Sequence, residues 1–390
     1  MRDFVSKRAK NIKPSGIRRF FDIASEHKDV ISLGVGEPDF ITPWEIRDAG
    51  VQAIKKGYTQ YTSNNGLLGL RQEISTYLKE RYSVDFGADD VVITVGASEA
   101  IDITLRAIVD EDDEVLIPDP SYVSYKPCVE LLGGVPVSIP CDGENGFKLT
   151  PENLEKVITD KTKAIIFPYP NNPTGGVMEK EFIEKIIPVI IKHDLVVISD
   201  EIYAELTYGV KHTSIASFSE LKDRVVLISG FSKSFAMTGW RVGYVAGPKD
   251  IKTALLKIHQ YASICAPIFS QYAAMSALTT GKKNNYAVVS EMRDEYDKRR
   301  KFMYKTFTDM GLECFEPRGA FYIFPSVESL NMTGEEFATA LLKSKKVAVV
   351  PGDAFGEFGK YYIRVSYAYS MKNLIEAMER IKEFVLEIKK

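Results

Sequence analysis

Between Asp89 and Gly247, short runs of β-branched and aliphatic residues alternate with turn residues and helical stretches. The runs fall at residues 91–95, 115–117, 164–167, 196–199, 225–228 and 242–246. They are continuously apolar. A strand with one wet face would alternate polar and apolar residues, so these suit strands buried on both faces. Helices between consecutive strands predict an α/β sheet that is mostly parallel, because each parallel return needs a crossover.

The pattern changes after residue 279. Residues 279–311 are charged and largely free of breakers, and Tyr286, Val289, Met292 and Tyr296 fall at helical spacing, which predicts one long helix leaving the sheet. Beyond it, Phe321-Tyr322-Ile323-Phe324 and Tyr362-Ile363-Arg364-Val365 read as short strands among helices, as in a smaller α+β domain. The segment up to Pro43 is rich in Pro, Gly and charge and reads as an arm on that domain. At about 150 residues per domain, the length suits two or three domains. The division expected is 1–45 for the arm and part of the small domain, 46–280 for the large domain, and 281–390 for the interdomain helix and small domain.

Charge and composition narrow the function. Lys and Arg total 50 against 53 Asp and Glu, so no global positive field draws the chain to nucleic acid or anionic lipid. Apolar runs such as Ile186 to Ile191 stop far short of the roughly 18 residues of a membrane span. The charged start Met1-Arg2-Asp3-Phe4 lacks a signal core. Cys128, Cys141, Cys265 and Cys314 stand far apart with no C-x-x-C pair, so no metal site and no disulfide framework is expected, and a cytoplasmic location fits. The four histidines are equally scattered and read as structural or surface residues.

Ligands of open α/β sheets bind beyond the carboxyl ends of the strands, so the segment after each strand carries the chemistry. After the first comes Gly96-Ala97-Ser98-Glu99-Ala100, a glycine turn opening a helix. It is either an anion site of free N–H groups or a tight turn with Ser98 as N-cap. After the third comes Tyr169-Pro170-Asn171-Asn172-Pro173-Thr174-Gly175, a loop stiffened to hold an amide or simply a rigid turn. After the fourth, Asp200 places a carboxylate at the end of an apolar strand, where it needs a partner or caps a helix. After the fifth, Lys233 lies among small and aromatic residues, with Arg241 eight positions on. Apolar walls and a second cation lower a lysine pKa and make a competent amine nucleophile. An amine, an acid, an anion cradle with an arginine and an oriented amide at one sheet edge are what pyridoxal phosphate requires.

The segment from Ser232 to Gly243 resembles the lysine signature of the class I/II aminotransferases of fold type I. Asn171-Asn172-Pro173-Thr174-Gly175 and Ser199-Asp200-Glu201-Ile202-Tyr203 resemble that family's other signatures in the same order. The likeness runs from Ser32-Leu33-Gly34-Val35-Gly36-Glu37-Pro38-Asp39 through Gln60-Tyr61-Thr62 and Gly319-Ala320-Phe321-Tyr322 to Tyr362-Ile363-Arg364-Val365-Ser366. It implies a large domain with a mostly parallel central sheet flanked by helices, and a smaller α+β domain.

The resemblance also implies roles. Lys233 would form the Schiff base with pyridoxal phosphate and later shuttle the proton. Asp200 would keep the ring nitrogen protonated, and Asn172 and Tyr203 would bond the ring's phenolic oxygen. Tyr122 would stack on the ring. Ala97, Ser98 and Arg241 would hold the phosphate, with Tyr61 reaching it from the neighbouring chain of a homodimer. The family often has another hydroxyl three residues before the lysine; Gly230 stands there, which leaves the contact to Ser232 or Ser229. Arg364 would clamp the substrate α-carboxylate with help from Gly36 and Asn172, and Ile17 would be an apolar lid.

The implied reaction is ping-pong transfer of an amino group from an L-amino acid, aromatic or broadly neutral, to a 2-oxo acid such as 2-oxoglutarate. Ser98 stands where some bacterial aspartate enzymes of this group have a lysine for the distal carboxylate. Arg18, Arg19 and Lys126 are the other cations that could meet a distal carboxylate. Aspartate and N-acetyl-diaminopimelate stay open as substrates, as does a β-eliminating C–S lyase on the same scaffold. A ligand-sensing regulator would need an attached DNA-binding domain, for which no length is spare. A nicotinamide dehydrogenase lacks its G-x-G-x-x-G after the first strands.

Overall fold

The computed structural model describes residues 2–14, 16–17 and 29–389. After β1 (Ile31–Ser32) come β2 (Val91–Thr94), β3 (Glu114–Asp119), β4 (Val135–Pro140), β5 (Thr162–Phe167), β6 (Val196–Asp200), β7 (Val225–Gly230) and β8 (Gly243–Ala246). Strands β2 to β8 form one seven-stranded sheet in the order β2-β8-β7-β6-β5-β3-β4. All neighbours are parallel except β8, which runs antiparallel to both β2 and β7.

Each of the six apolar runs is a strand of this sheet, for the reason their composition suggests. Successive side chains of a strand point to opposite faces. Leu116, Ile165, Val197 and Val225 pack on one face with Ile183, Ile186 and Ile190 of helix Lys180–Lys192. Val115, Ile117, Ile166, Ile198 and Val226 pack on the other with Ile101 and Leu105 of helix Gly96–Ile108 and Leu255 of helix Lys249–Ala262. Strand β4 lies outside the expected set. Its sequence Val135-Pro136-Val137-Ser138-Ile139-Pro140 carries two prolines, which an edge strand bonded only to β3 tolerates.

The smaller body holds β9 (Tyr322–Ile323), β10 (Val347–Ala348), β11 (Val350–Pro351) and β12 (Ile363–Ser366). β12 lies between β11 and β9, antiparallel to both, and β10 pairs with β1 in parallel. Helices Gly334–Lys345 and Met371–Ile388 close its core with Phe337, Leu341, Leu374 and Ile381. Helix Ala287–Asp309 adds Met292, Tyr296, Met303 and Phe307.

Two expectations are corrected. The single helix over 279–311 is two helices, Ile268–Lys283 and Ala287–Asp309. Between them Asn285 and Tyr286 have φ of 53° and 55°, a left-handed conformation that cannot continue a right-handed helix. Packing holds the break: the Tyr286 ring lies against Gly281, where a Cβ would come within 2.5 Å of it. The arm is also divided. β1 joins β10, whereas helix Lys7–Asn11 lies beside helix Tyr125–Leu132 of the larger body, with Arg8 against Gly133 and paired with Glu111 at 3.2 Å. Among the described residues no helix is long and apolar enough to cross a membrane.

Candidate active site

Strands β3, β5, β6 and β7 all end at the same sheet edge, and the segments that follow carry Tyr122, Asn172, Tyr203 and Lys233. Because β8 is reversed, its start lies at that edge, which brings Arg241 there from the residues before the strand. A cavity of about 910 Å³ opens here. Gly36, Ala97, Ser98, Tyr122, Asn172 and Asp200 line it. So do Tyr203, Ser232, Lys233, Arg241, Arg364 and Ile17. Tyr61 stays outside its own chain's cavity with 78% of its surface exposed. Arg18 and Arg19 lie outside the described residues.

Lys233 Nζ donates to the Gly36 carbonyl at 2.6 Å. Burial pushes its pKa down to about 8; Arg364 and Arg241 push the same way, against Glu37 and Asp200. Asp200 is buried at the end of β6, and burial raises its pKa to about 6. Tyr125 Oη donates to its Oδ2 at 2.7 Å and the Ile202 N–H to its Oδ1 at 3.2 Å, both of which favour the charged form. Asp200 is thus both a buried acid and the side-chain acceptor of the turn that follows its strand. Tyr203 and Tyr322 share a hydroxyl contact of 2.8 Å, and burial raises the Tyr203 pKa well above its ordinary value, so it stays a phenol.

The anion cradle is built from backbone. Gly96 has φ of 74° and opens helix Gly96–Ile108, with Val95 as N-cap. Ser98 is not the cap; Glu99 reaches back instead, accepting from the Val95 N–H at 2.5 Å. Arg241 Nη1 donates to the Thr238 carbonyl at 3.1 Å and Nη2 to that of Val95 at 3.4 Å. Its guanidinium fills the space a Cβ on Gly96 would take. Free helix N–H groups beside a guanidinium suit a phosphate.

The missing hydroxyl at Gly230 has a steric cause. Gly230 pairs with Gly243 of β8, and a Cβ on it would come within 3.0 Å of the Gly243 Cα. A Cβ on Gly243 would in turn sit 2.7 Å from the Ala97 nitrogen. Ser229 cannot compensate, since its Oγ donates to the Glu201 carbonyl at 3.2 Å and it does not line the cavity. Ser232 does line it.

Arg364 projects from β12, fully buried. Its Nη1 donates to Asn172 Oδ1 at 2.9 Å and its Nη2 to the Gly34 carbonyl. The guanidinium carbon lies 4.5 Å from the Tyr322 ring centroid and 4.7 Å from that of Phe355. Its Nε is buried with no hydrogen-bond partner among the described residues. A buried guanidinium on a cavity wall with no acidic partner among the described residues is suited to a carboxylate. Asn171, next to Asn172, instead stiffens the loop, its Oδ1 accepting from the Thr174 hydroxyl at 2.9 Å. Lys126 is spent on Asp119 at 2.6 Å and does not line the cavity.

Among the residues at the site that were not singled out from sequence are Tyr125, Tyr322 and Glu37. Tyr125 and Tyr322 sit at core spacing in a chain with 20 tyrosines, and nothing local marks their hydroxyls. Glu37 lines the cavity directly after Gly36, and that adjacency was the available signal.

The family described as "Aminotransferase class I and II" matches residues 28–381. An aspartate aminotransferase of Pyrococcus abyssi is 45% identical over 99% of both chains. A Bacillus subtilis protein named "Probable N-acetyl-LL-diaminopimelate aminotransferase" is 42% identical over 99% of this chain and 97% of its own. The crystal structure of an aromatic aminotransferase from Pyrococcus horikoshii superposes with a TM-score of 0.90 at 44% identity, covering 95% of this chain and 99% of that one. With its mixed, mostly parallel sheet and this match over nearly its whole length, the chain belongs to the class I and II aminotransferases of fold type I and is a transaminase.

Proposed function

We propose that the protein is a pyridoxal-phosphate enzyme that moves the amino group of an aromatic or broadly neutral L-amino acid to a 2-oxo acid, with 2-oxoglutarate as the expected acceptor. The observation that carries this reading is that Lys233 and the buried Asp200 share one cavity with a helix N-terminus flanked by Arg241. When bound, the cofactor supplies an aldehyde that takes up the amino group and a ring that withdraws electrons from the substrate Cα. Lys233 would tether it and, once the substrate's amino group has displaced the lysine amine, that freed amine would move the proton between the substrate Cα and the cofactor. Asp200 holds the proton on the ring nitrogen, Asn172 and Tyr203 bond the phenolic oxygen, and Tyr122 packs on the ring. Ala97, Ser98, Ser232 and Arg241 hold the phosphate.

On the substrate side, Arg364 takes the α-carboxylate, beside Gly36 and Asn172. Ile17, Tyr122, Val123 and Tyr322 give the cavity apolar and aromatic wall, which favours neutral side chains. Ser98 in place of a lysine, and the commitment of Lys126 to Asp119, argue in the same direction. The names of the relatives keep aspartate and N-acetyl-diaminopimelate as competing donors.

The working unit is a homodimer in which the partner's Tyr61 completes the phosphate site. Exposed Trp44, Tyr58, Tyr61, Leu68 and Tyr261 support an interface that covers them. The domain division at residues 45 and 280 belongs to this reading. So does a reducing cytoplasm, which the four free thiols support. A half-reaction screen tests the function: purified holoenzyme is mixed with each amino acid, and conversion of the cofactor to its amine form is followed by absorbance. Aromatic and neutral donors are expected to convert it fastest; faster conversion by aspartate would overturn the substrate assignment.

A further inference from the structure

Strand β3 ends in a carboxylate that the proposed chemistry does not use. Asp119 is completely buried. Its Oδ2 accepts from Lys126 Nζ at 2.6 Å and from Ser138 Oγ at 3.0 Å. Its Oδ1 accepts from the Phe358 N–H at 3.2 Å. Gly356, at φ of 142°, lies so close that a Cβ there would overlap the carboxylate. Two residues past Asp119, the Ser121 N–H donates to the Phe355 carbonyl at 3.0 Å. The edge of the large sheet is thereby fastened at two points to residues 352–359 of the smaller body.

Those residues support the substrate side of the cavity. Phe355 forms one face of the aromatic sandwich around Arg364. Ala354 packs against Gly16, whose Cβ would stand 3.0 Å from that of Ala354, and Gly16 precedes Ile17. A buried carboxylate is costly unless paired, and Lys126, outside the cavity lining and with 32% of its side chain exposed, supplies the charge. Removing that charge leaves Asp119 uncompensated and frees it to recruit water or shift. Either response loosens its bond to Phe358, and tight packing passes the movement to Phe355 and Arg364.

We propose that Asp119 and Lys126 form a latch that seats residues 352–359 on the end of β3 and thereby positions Arg364 and Ile17 for amino-acid binding. Both are positioning residues, touching neither cofactor nor substrate. The inference rests on the reading of Arg364 as the carboxylate clamp.

The test uses the holoenzyme with Lys126→Met, Lys126→Arg and Asp119→Asn. Lys126→Met is expected to raise KM for donor and acceptor about tenfold, with kcat changed by less than about threefold, since small misplacements of a binding group cost up to about a hundredfold. Cofactor content and absorbance should match wild type, because Lys233, Asp200 and Arg241 are untouched. Lys126→Arg should restore KM. Asp119→Asn should act in the same direction, and the double variant should be no worse than Lys126→Met alone, as expected for one coupled unit. Unchanged KM in Lys126→Met, or a fall in kcat at constant KM, overturns the latch; should Asp119→Asn not fold, the partly exposed Lys126 still decides. Wild-type holoenzyme that converts with no amino acid would take the proposed function down as well. Normal wild-type conversion with unshifted variants removes the latch alone.

Discussion

Arg364 Nη1 donates to Asn172 Oδ1 at 2.9 Å, bonding a strand of the smaller sheet to the loop that follows β5 of the larger one. The cavity wall is therefore joined by a hydrogen bond between two residues 192 positions apart. Asn172 thereby fixes the plane of the guanidinium, and the aromatic rings on either side fix its tilt.

Replacing Arg364 with lysine keeps a charge and loses the planar fork. We expect kcat/KM to fall about a hundredfold or more for every amino acid, because each carries the α-carboxylate. Steady-state kinetics across a donor panel check this. A loss restricted to one side-chain class would contradict the assignment.

The depressed pKa of Lys233 makes it a free amine above about pH 8. The rate at which cofactor-free protein captures pyridoxal phosphate should accordingly rise with pH up to about 8 and then level off. Borohydride reduction followed by peptide mapping should label Lys233. Lys233→Ala should keep the circular dichroism of the wild type while losing turnover and label together.

Asp200 binds its proton more tightly when folded, with a pKa of about 6, than a carboxyl of an unfolded chain does, near 3.9. Between those values the native state holds more protons, so stability of the cofactor-free protein falls as pH rises through that window and stays lowered above it. Asp200→Asn should remove this penalty, at most about 3 kcal/mol at neutral pH, while abolishing transamination. Thermal melts of the two apoproteins at pH 4 and pH 7.5 check the sign: the gap should open at the higher pH.

Tyr125→Phe deletes a donor to the Asp200 carboxylate. One hydrogen bond to a charged acceptor is worth about one pKa unit, so the acid limb of the pH profile should move upward by roughly that much. The dependence of kcat/KM on pH measures it. An unmoved limb would mean that Tyr125 serves packing alone.

Gly230→Ser should not add a useful phosphate contact. Its Cβ must displace the backbone of Gly243, and overpacking of this kind costs about 1–3 kcal/mol. We expect a lower Tm and no gain in cofactor affinity, measured by melting and by cofactor titration.

Much of this was legible because burial writes itself into composition. Strands sandwiched by helices must be apolar on both faces, and six were readable at residues 91–95 through 242–246 for that reason. β4 was not, because its prolines are turn residues everywhere except on a sheet edge. The break at Asn285 and Tyr286 was hidden too: the Tyr286 ring is seated against Gly281 by tertiary packing, and its spacing mimicked a helical face. At the site, Lys233, Asp200 and Arg241 declared themselves as charges at the ends of apolar strands. Tyr125 and Tyr322 did not, since a tyrosine ring is equally at home in a core. The choice between Ser229 and Ser232 depended on tertiary contacts: Ser229 is tied to the Glu201 carbonyl, whereas Ser232 lines the cavity.

The reversal of β8 turns residues 231–242 into a molecular ruler. Its two ends are pinned where Gly230 meets Gly243 across the strands, so the count of residues between Lys233 and Arg241 fixes how far apart their two charges can stand. One inserted or deleted residue would put the amine and the guanidinium out of step, and no substitution elsewhere could restore the measure.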